Sequence, residues 1–303
     1  MTPEARPPRS GGHALPVAAV VLAILALWYL AALLGNWSGA ADALVRAGAA
    51  PEAGAVAAAT MAQERPVVPA PHQIAQELAR SLFGLPVTSK RSLAYHASVT
   101  LSATLVGFGI GTALGLVLAV GIVHLRSVER SLMPWVVASQ TVPILAVAPI
   151  VIVALGAAGL TGLLPKAVIA AYLCFFPVTV GMVKGLTSPD RMLADLMRTY
   201  SAGRRQTLWR LRLPAALPDL FAALKIAVAA SLVGTIVGEL PTGAQAGLGA
   251  RLLAGSYYGQ TVQIWAALVV AAALSALLVA AVSLAEAGMA RLTGGRPSGA
   301  GAR

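Results

Sequence analysis

Charged side chains are scarce in this sequence, and that scarcity indicates the class of protein. Only 11% of the 303 residues are Asp, Glu, Lys or Arg, whereas 58% are hydrophobic and the mean hydropathy is +0.79. Soluble domains carry about 25% charged residues. The low value therefore excludes an ordinary soluble protein. It predicts an all-α, polytopic membrane protein whose polar residues lie in short segments between apolar runs.

Metal-site and phosphate-loop patterns are also missing. Cys174 is the single cysteine and lies in an apolar run, so it forms no intrachain disulfide and is interpreted as inert packing. The four histidines are far apart, and no Cys or His cluster has zinc-site spacing. Because the pattern GxxxxGK[ST] is absent, the chain is not expected to hydrolyse ATP, and no cofactor is predicted.

The net charge of +11 is explained by membrane orientation rather than by a nucleic-acid partner. Six apolar runs approach the length of about 20 residues that crosses a bilayer. With the basic segment 189–214 on the same side as both termini, that side holds 14 Lys and Arg and the other holds 7. The positive-inside rule then predicts that both termini and this segment are cytoplasmic. The predicted spans are 14–34, 99–123, 132–155, 165–183, 215–237 and 262–284.

The segments outside the spans complete the predicted organisation. Residues 1–13 are predicted to be a cytoplasmic tail and 291–303 a disordered cytoplasmic tail. Residues 35–98 form a periplasmic loop ahead of a five-span core at 99–290. The first apolar run resembles a signal peptide, but it exceeds the usual apolar length of about 7–15 residues, which favours a retained helix.

A short amphipathic helix is predicted inside the periplasmic loop. Ile74, Leu78 and Leu82 recur at helical spacing, with polar residues off that stripe. The stripe fits a helix on the membrane surface or a helix packed on its own domain, and the pattern does not separate the two.

Small residues mark a packing face on the second span. Gly107, Gly111 and Gly115 recur every four residues and therefore share one helix face. Glycines at this spacing allow another backbone to approach closely. This pattern predicts helix packing and carries no catalytic content.

The third predicted span contains polar residues and prolines where few are expected. Gln140 and Thr141 precede Pro143, and Pro149 follows one and a half turns later. Proline removes backbone hydrogen bonds, and such breaks are tolerated where helices or a cavity satisfy the freed groups. These four residues predict a bend in the helix. The bend either lines a translocation pathway or is an ordinary kink packed against neighbouring helices.

Two charged residues stand at or inside the fifth span. Glu239 is expected at its outer end, as a contact for an external protein, a gate residue of the pathway or a plain interfacial acid. Lys225 is expected to extend its ammonium to the cytoplasmic interface rather than to act in transport.

The segment 189–214 reads as two short helices. An apolar stripe at helical spacing is followed by small residues, and a second helical stretch is expected to end at Leu213-Pro214. A basic amphipathic segment of this kind fits docking into a groove of another protein, or a helix that lies along lipid headgroups. The stripe consists of Met192, Leu193, Leu196, Met197 and Tyr200, and the small residues are Ser201, Ala202 and Gly203.

This segment resembles the "EAA" loop of binding-protein-dependent ABC importer permeases. In that pattern Glu-Ala-Ala and a glycine precede an apolar residue and Leu-Pro at fixed spacing. Counting back from Leu213-Pro214 shows that an acid is kept, whereas both alanines and the glycine are replaced. The matched positions are Asp195, Leu196 and Met197 for Glu-Ala-Ala, Ser201 for the glycine and Leu211 for the apolar residue.

A wider resemblance points to the nitrate, sulfonate and taurine branch of the family. In that branch a glutamate closes the fifth span and Gly-Leu-Gly follows, matched here by Glu239 and 247–249. The resemblance implies the type I importer fold, with six transmembrane helices and a cytoplasmic coupling helix, in the bacterial inner membrane. The residues it implies for ATPase coupling are Asp195, Leu196, Met197, Tyr200, Ser201, Ala202, Gly203, Arg204, Leu213 and Pro214.

The resemblance also implies partners. An ABC ATPase subunit binds the coupling helix, an extracytoplasmic substrate-binding protein delivers the solute, and a second permease copy completes a homodimer in the lipid bilayer. The expected solute is a sulfonate, taurine or nitrate, with a pyrimidine-type precursor as the alternative. A secondary transporter that works without ATP is the alternative of another class.

Overall fold

The structure, a computed structural model, describes residues 14–241 and 244–293. Within these ranges it contains twelve α-helices and no strand, so the predicted all-α class is confirmed. In chain order the helices are α1 (Ala14–Arg46), α2 (Ala53–Ala62), α3 (Pro71–Phe83), α4 (Leu93–His124), α5 (Arg126–Ala138), α6 (Ile144–Ala157), α7 (Leu163–Thr187), α8 (Arg191–Thr199), α9 (Arg204–Thr207), α10 (Leu213–Glu239), α11 (Leu248–Tyr257) and α12 (Thr261–Thr293).

Five unbroken helical stretches are long and apolar enough to cross a bilayer: α1, α4, α7, α12 and the stretch that joins α9 to α10. The pair α5 and α6 passes the same test only jointly, because the chain bends by 102° between them. Counting this pair as one span gives the six spans predicted from the sequence. The bend is sharper than a kinked helix, because the 3₁₀ turn Ser139–Thr141 leads into Pro143, which has no N–H to continue the ladder.

Several helix ends differ from the predicted boundaries. α1 continues to Arg46, since the residues after 34 are alanine-rich and contain no proline. Its 33 residues extend about 50 Å, well beyond a hydrocarbon core of about 30 Å. α12 reaches Thr293, so the predicted disordered tail begins as helix. The predicted tail 1–13 and the remainder of the C-terminal tail lie outside the described residues.

The described residues fall into two compact units. The first contains α1 to α3 together with Ala254–Ala266. Asn36 organises it: the side-chain amide donates to Val68 O at 2.7 Å and its oxygen accepts from the N–H of Val67 at 2.7 Å. Trp28 adds an indole hydrogen bond to Pro69 O at 3.1 Å. The proline-rich stretch before α3 is therefore held against α1.

The amphipathic helix predicted in the periplasmic loop is present as α3. Ile74 is buried, and His72 stacks on Tyr29 of α1 with ring centroids 5.9 Å apart. Gln73 caps the first turn by accepting the Ala70 N–H at 2.9 Å. These contacts favour the interpretation of α3 as a helix packed on its own domain.

The second unit is built on α4, α7 and α10, which pack closely against one another. Alanine and glycine dominate their contacts, so the helix backbones approach closely. At one end of this core, α10 is preceded by the exposed segment that contains α8. At the other end, the chain returns through residues 244–247 into α11. These two ends carry the candidate sites.

Candidate functional site

The apolar side of α8 is exposed in the described chain. Asp190 caps the helix, with its carboxylate accepting the N–H of Met192 at 3.4 Å. The exposed fractions of Met192, Leu196 and Tyr200 are 74%, 50% and 77%. A nine-residue helix is too short to be stable in water on its own. The predicted stripe thus forms a small surface that suits contact with another protein or with lipid headgroups.

α8 ends in a left-handed turn at Ser201, whose φ is +51°. The Ser201 N–H donates to Arg198 O at 2.8 Å, and the Ala202 N–H donates to Met197 O at 2.9 Å. These two bonds form a Schellman motif, which glycine enters without steric cost. The structure therefore explains the glycine of the "EAA" pattern, since Ser201 takes the conformation that glycine favours. Gly203, with φ −67°, has no such requirement.

The helix that follows α8 continues without a break into the fifth span. α9, a π-helical turn at Leu208–Arg212 and α10 make up one stretch of 36 residues, so the predicted helix end at Leu213-Pro214 is wrong. The Leu213 N–H reaches back to Leu208 O, one residue further than in an α-helix. This wider turn accommodates Pro214, which lacks an N–H, without ending the helix. Arg204 and Arg205, at the start of the stretch, are exposed.

The predicted pathway residues of the third span lie at or near the 102° bend. Gln140 and Thr141 belong to the 3₁₀ turn, Pro143 precedes α6 and Pro149 lies inside it. All four are exposed in the described chain. Tyr172 of α7 donates its hydroxyl to Ser139 O and thereby ties the turn to the core.

Glu239, the fifth predicted pathway residue, lies inside the helical core and is completely buried. Its carboxylate accepts the Thr100 hydroxyl at 2.9 Å and the Gly249 N–H at 2.9 Å. Lys166 approaches the other oxygen at 3.4 Å. In this structure Glu239 of α10 is therefore a buried residue that joins α10 to α4, α7 and the start of α11, and it is not an interfacial acid. We call this set of contacts the Glu239 junction.

The same junction holds the chain that enters α11. Lys166 donates to Ala246 O at 2.8 Å, and Leu248 N–H donates to the Thr100 hydroxyl at 2.8 Å. The Gly247 N–H donates to Nδ1 of His96 at 3.0 Å. Gly247 has φ +126°, and a Cβ there would collide with the Glu239 carboxylate. The segment after Glu239 therefore contains a helix whose first amides are capped by the Thr100 hydroxyl and the Glu239 carboxylate.

A cavity of about 670 Å³ adjoins this junction. It is lined by the first turns of α4 and α7, the last turns of α6 and residues 244–246. Apolar surface predominates in its wall. Its polar side chains are Tyr95, Ser102, Thr161, Lys166 and Gln245.

The three glycines of α4 face α7. A Cβ added at Gly107 would lie 2.6 Å from Ala167 O, and one added at Gly111 would lie 2.6 Å from the Cβ of Cys174. At Gly115 the nearest atom is the Cβ of Val178, at 2.8 Å. These positions leave no room for a side chain. Cys174 is buried in this contact, with its thiol against Phe108 O at 3.6 Å.

Lys225 has a partner that the sequence analysis did not predict. Its ammonium pairs with Glu286 of α12 at 2.5 Å, and the two side chains are 30% and 11% exposed. A carboxylate on another helix thus balances the charge of a partly exposed lysine, which sequence spacing did not reveal. Lys184 and Asp219 form a second, more exposed pair at 2.9 Å between α7 and α10.

Comparison with known proteins identifies the family. Residues 111–291 match the family described as binding-protein-dependent transport system inner membrane component. The chain belongs to this family. It is thus an ABC importer permease and a multi-pass inner-membrane protein, and the predicted resemblance is confirmed.

Three relatives show the range of named solutes. The permease is 36% identical to a formylaminopyrimidine transport permease of Halalkalibacterium halodurans over 51% of this chain and 60% of the relative. It is 35% identical to a riboflavin transport system permease of Chloroflexus aurantiacus over 52% of this chain and 57% of the relative. It is 27% identical to a permease named for aliphatic sulfonates in Bacillus subtilis over 63% of this chain and 67% of the relative.

Sequence reasoning missed the partners of Glu239. Thr100 and Lys166 lie in two different regions of the permease sequence, and neither belongs to a motif. A faint signal was available, because Lys166 and Glu239 are charges of opposite sign at span ends on the same predicted side. The cavity beside them left no signal in the sequence.

Proposed function

We propose that the permease is the membrane subunit of an ATP-driven importer, and that α8 docks into a groove on a separate ATPase subunit. The observation that carries this proposal is the exposed stripe of Met192, Leu196 and Tyr200 on a capped helix. Docking buries these side chains and supplies the stability that a nine-residue helix lacks alone. Asp195 and Arg198, paired at 2.9 Å on the exposed face, present charge to the rim of that groove.

The continuous helix from Arg204 to Glu239 supports transmission of force from this site. Closure of an ATPase dimer would draw α8 sideways, and the 36-residue helix would carry the displacement across the membrane. In this proposal Ser201, Ala202 and Gly203 form the hinge between the docked helix and the lever. The excess of 14 Lys and Arg over 7 supports a cytoplasmic position for the proposed docking site.

A second copy of the permease and an extracytoplasmic substrate-binding protein complete the proposed transporter. The bend between α5 and α6 supports a pathway that passes between two copies. Gln140 and Thr141 are exposed at this break, and non-helical backbone inside a membrane is tolerated only where it is buried in protein or lines a water-filled cavity. In the assembled transporter Pro143 and Pro149 would hold this bend open beside the pathway.

The proposed solute is a small organic molecule. The resemblance of the fifth span favours sulfonates, taurine or nitrate, whereas the relatives of higher identity are named for a formylaminopyrimidine and riboflavin. A transporter that works without ATP is not favoured, because it would leave the exposed α8 without a role. Two of the four ion pairs in the described chain also join neighbouring core helices near their ends, as a rigid lever requires.

Uptake by the reconstituted transporter tests the coupling role. The permease, its ATPase and its binding protein are placed in liposomes, and ATP-driven uptake of a formylaminopyrimidine, riboflavin and ethanesulfonate is measured. We expect Ser201→Glu to reduce uptake at least tenfold, because a bulky charge disrupts the left-handed turn at the docking surface. Ser201→Gly keeps that turn and is the matched control, expected to retain uptake.

Two results would contradict the proposal. Normal ATP-driven uptake by Ser201→Glu would contradict the docking role of this turn. The variant must have the same gel-filtration profile and melting temperature as the unmodified permease. Uptake that persists without ATP and without the ATPase subunit would instead contradict the proposed function as an ATP-driven importer. A bulky charge at Gly203, on the same hinge, is expected to act like Ser201→Glu.

A further inference from the structure

The cavity beside Glu239 has the size and lining of a small-molecule site. Its volume of about 670 Å³ falls within the range of about 300–1,000 Å³ that such sites occupy. Apolar side chains such as Ile152 and Leu160 form most of its wall. The hydroxyls of Ser102 and Thr161, the Gln245 amide and the Lys166 ammonium supply the polar groups. A mostly apolar wall with a few polar side chains is the usual composition of a ligand site.

Lys166 offers a hydrogen-bond donor to this cavity. An ammonium has three N–H groups, and in the described chain those of Lys166 meet two acceptors, Glu239 Oε1 at 3.4 Å and Ala246 O at 2.8 Å. The side chain is 11% exposed and lines the cavity. The third N–H is thus placed to donate to an occupant.

The charge of Lys166 is already balanced. Glu239 lies 3.4 Å from its ammonium and is itself completely buried. Lys166 is the one charged side chain among the described residues that line the cavity. An anion that accepts from Lys166 would lie within a few ångströms of the Glu239 carboxylate, where like charges repel strongly in a medium of low dielectric constant. An uncharged acceptor avoids this repulsion.

We propose that this cavity binds the transported solute, and that the solute is a small uncharged molecule with a carbonyl oxygen or ring nitrogen that accepts from Lys166. The proposal rests on the importer function proposed above and narrows its solute class. Apolar walls would cover the flat faces of a heterocycle, while Ser102, Thr161 and Gln245 offer further hydrogen bonds. A sulfonate or nitrate would be excluded by Glu239.

Glu239 acts in this proposal as a positioning residue. It orients Lys166, and through the Gly249 N–H it anchors the chain that carries Ala246 and Gln245 into the cavity wall. Because Glu239 lies at the far end of the 36-residue helix from α8, movement of that helix would displace this wall. The same junction would therefore bind the solute and release it.

Thiol labelling of the complete transporter tests the site directly. Cys174 is the single native cysteine and is buried, so Cys174→Ser gives a background for one introduced thiol. Ser102→Cys places that thiol in the cavity wall, and Ser98→Cys, one turn earlier on α4 and outside the wall, is the matched control. The rate of reaction with a small maleimide is measured in liposomes that contain the ATPase and the binding protein.

We expect millimolar formylaminopyrimidine or riboflavin to slow labelling at Ser102→Cys at least fivefold and to leave Ser98→Cys unchanged. Ethanesulfonate should protect neither thiol. In the added double variant Lys166→Met/Glu239→Gln, which removes both charges together, labelling without solute should stay the same and protection should be lost. That loss would identify the Lys166 donor as the binding group rather than as a structural one.

Each contrary result removes a specific part of the proposal. Protection by ethanesulfonate but by neither heterocycle would overturn the uncharged solute class. An unreactive Ser102→Cys, or a reactive one that none of the three solutes protects, would overturn the site. Protection that survives in the double variant would overturn the role of Lys166. Failure of the importer function is recognised separately, by the absence of ATP-driven uptake in the unmodified transporter.

Discussion

Glu239 shows how much a single residue depends on its surroundings. Its position at the end of an apolar run indicated an acid at the membrane interface or on a pathway. The structure encloses it completely, with hydrogen bonds from Thr100 and Gly249 and an ion pair to Lys166. A buried carboxylate is tolerated only when its charge and lone pairs are satisfied in this way.

Removal of Glu239 should therefore destabilise the permease strongly. Glu239→Ala leaves the Lys166 ammonium buried without its counter-charge, and breaking a buried pair from one side costs about 3–5 kcal/mol. Asp219→Ala breaks the more exposed pair with Lys184 and should cost less than about 1 kcal/mol. Chemical unfolding of the purified protein in detergent compares the two. Equal losses in the two variants would contradict the buried ion pair.

Ser201 is the residue at which sequence pattern and structure explain each other. The family pattern has glycine where this chain has serine, and the structure finds a left-handed turn there. Such a conformation costs a residue with a side chain about 1–2 kcal/mol relative to glycine. The glycine of the family pattern thus reflects a left-handed backbone conformation, and Ser201 adopts the same conformation with some strain.

Helix α4 illustrates the element scale. Its glycine face was predicted to be a packing surface, because spacing of four residues places side chains on one side of any helix. The sequence did not identify the helix it faces. The structure places α7 there, with Cys174 and Val178 against the glycines.

A matched pair of glycines on α4 tests this contact. Gly111→Ala would place a methyl group 2.6 Å from the Cβ of Cys174, so the helices must separate, at a cost of about 1–3 kcal/mol. Gly109→Ala, half a turn away, meets nothing within 4 Å and should be neutral or slightly stabilising. Thermal unfolding in detergent measures both. Equal effects of the two substitutions would contradict the close approach of α4 to α7.

The stretch from α9 to α10 shows the limit of local signals. Leu213-Pro214 resembled a helix end, because proline usually interrupts the hydrogen-bond ladder. The π-helical turn before it shifts the ladder by one residue and lets the helix continue. Tertiary packing of α10 against α4 and α7 stabilises the continuous helix, and no pattern within ten residues would have indicated it.

Orientation in the membrane is a property of the whole molecule. It follows from the distribution of Lys and Arg over all segments outside the spans, and the seven Lys and Arg residues from Lys184 to Arg212 supply the excess of 14 over 7. The prediction that the α8 segment is cytoplasmic and the α3 segment periplasmic is therefore independent of any local contact. It also determines the side from which the proposed ATPase partner would reach α8.

Labelling of intact cells and inverted vesicles tests this orientation. In a Cys174→Ser background, Ser201→Cys should react with a membrane-impermeant maleimide only in inverted vesicles, because the predicted cytoplasmic side is then outside. Phe83→Cys, at a position that is 87% exposed at the end of α3, should show the opposite pattern. The reverse result for both thiols would invert the proposed topology and exclude α8 as the ATPase contact.

The sequence by itself determined the membrane class, the family and the amphipathic segment that contains α8. These follow from hydropathy, charge counts and motifs that are local or additive along the chain. Only the tertiary structure decided that Glu239 is buried, that Lys225 pairs with Glu286, and that a cavity opens beside Lys166. These features depend on residues 61 to 139 positions apart in the chain, brought together by helix packing that no local pattern specifies.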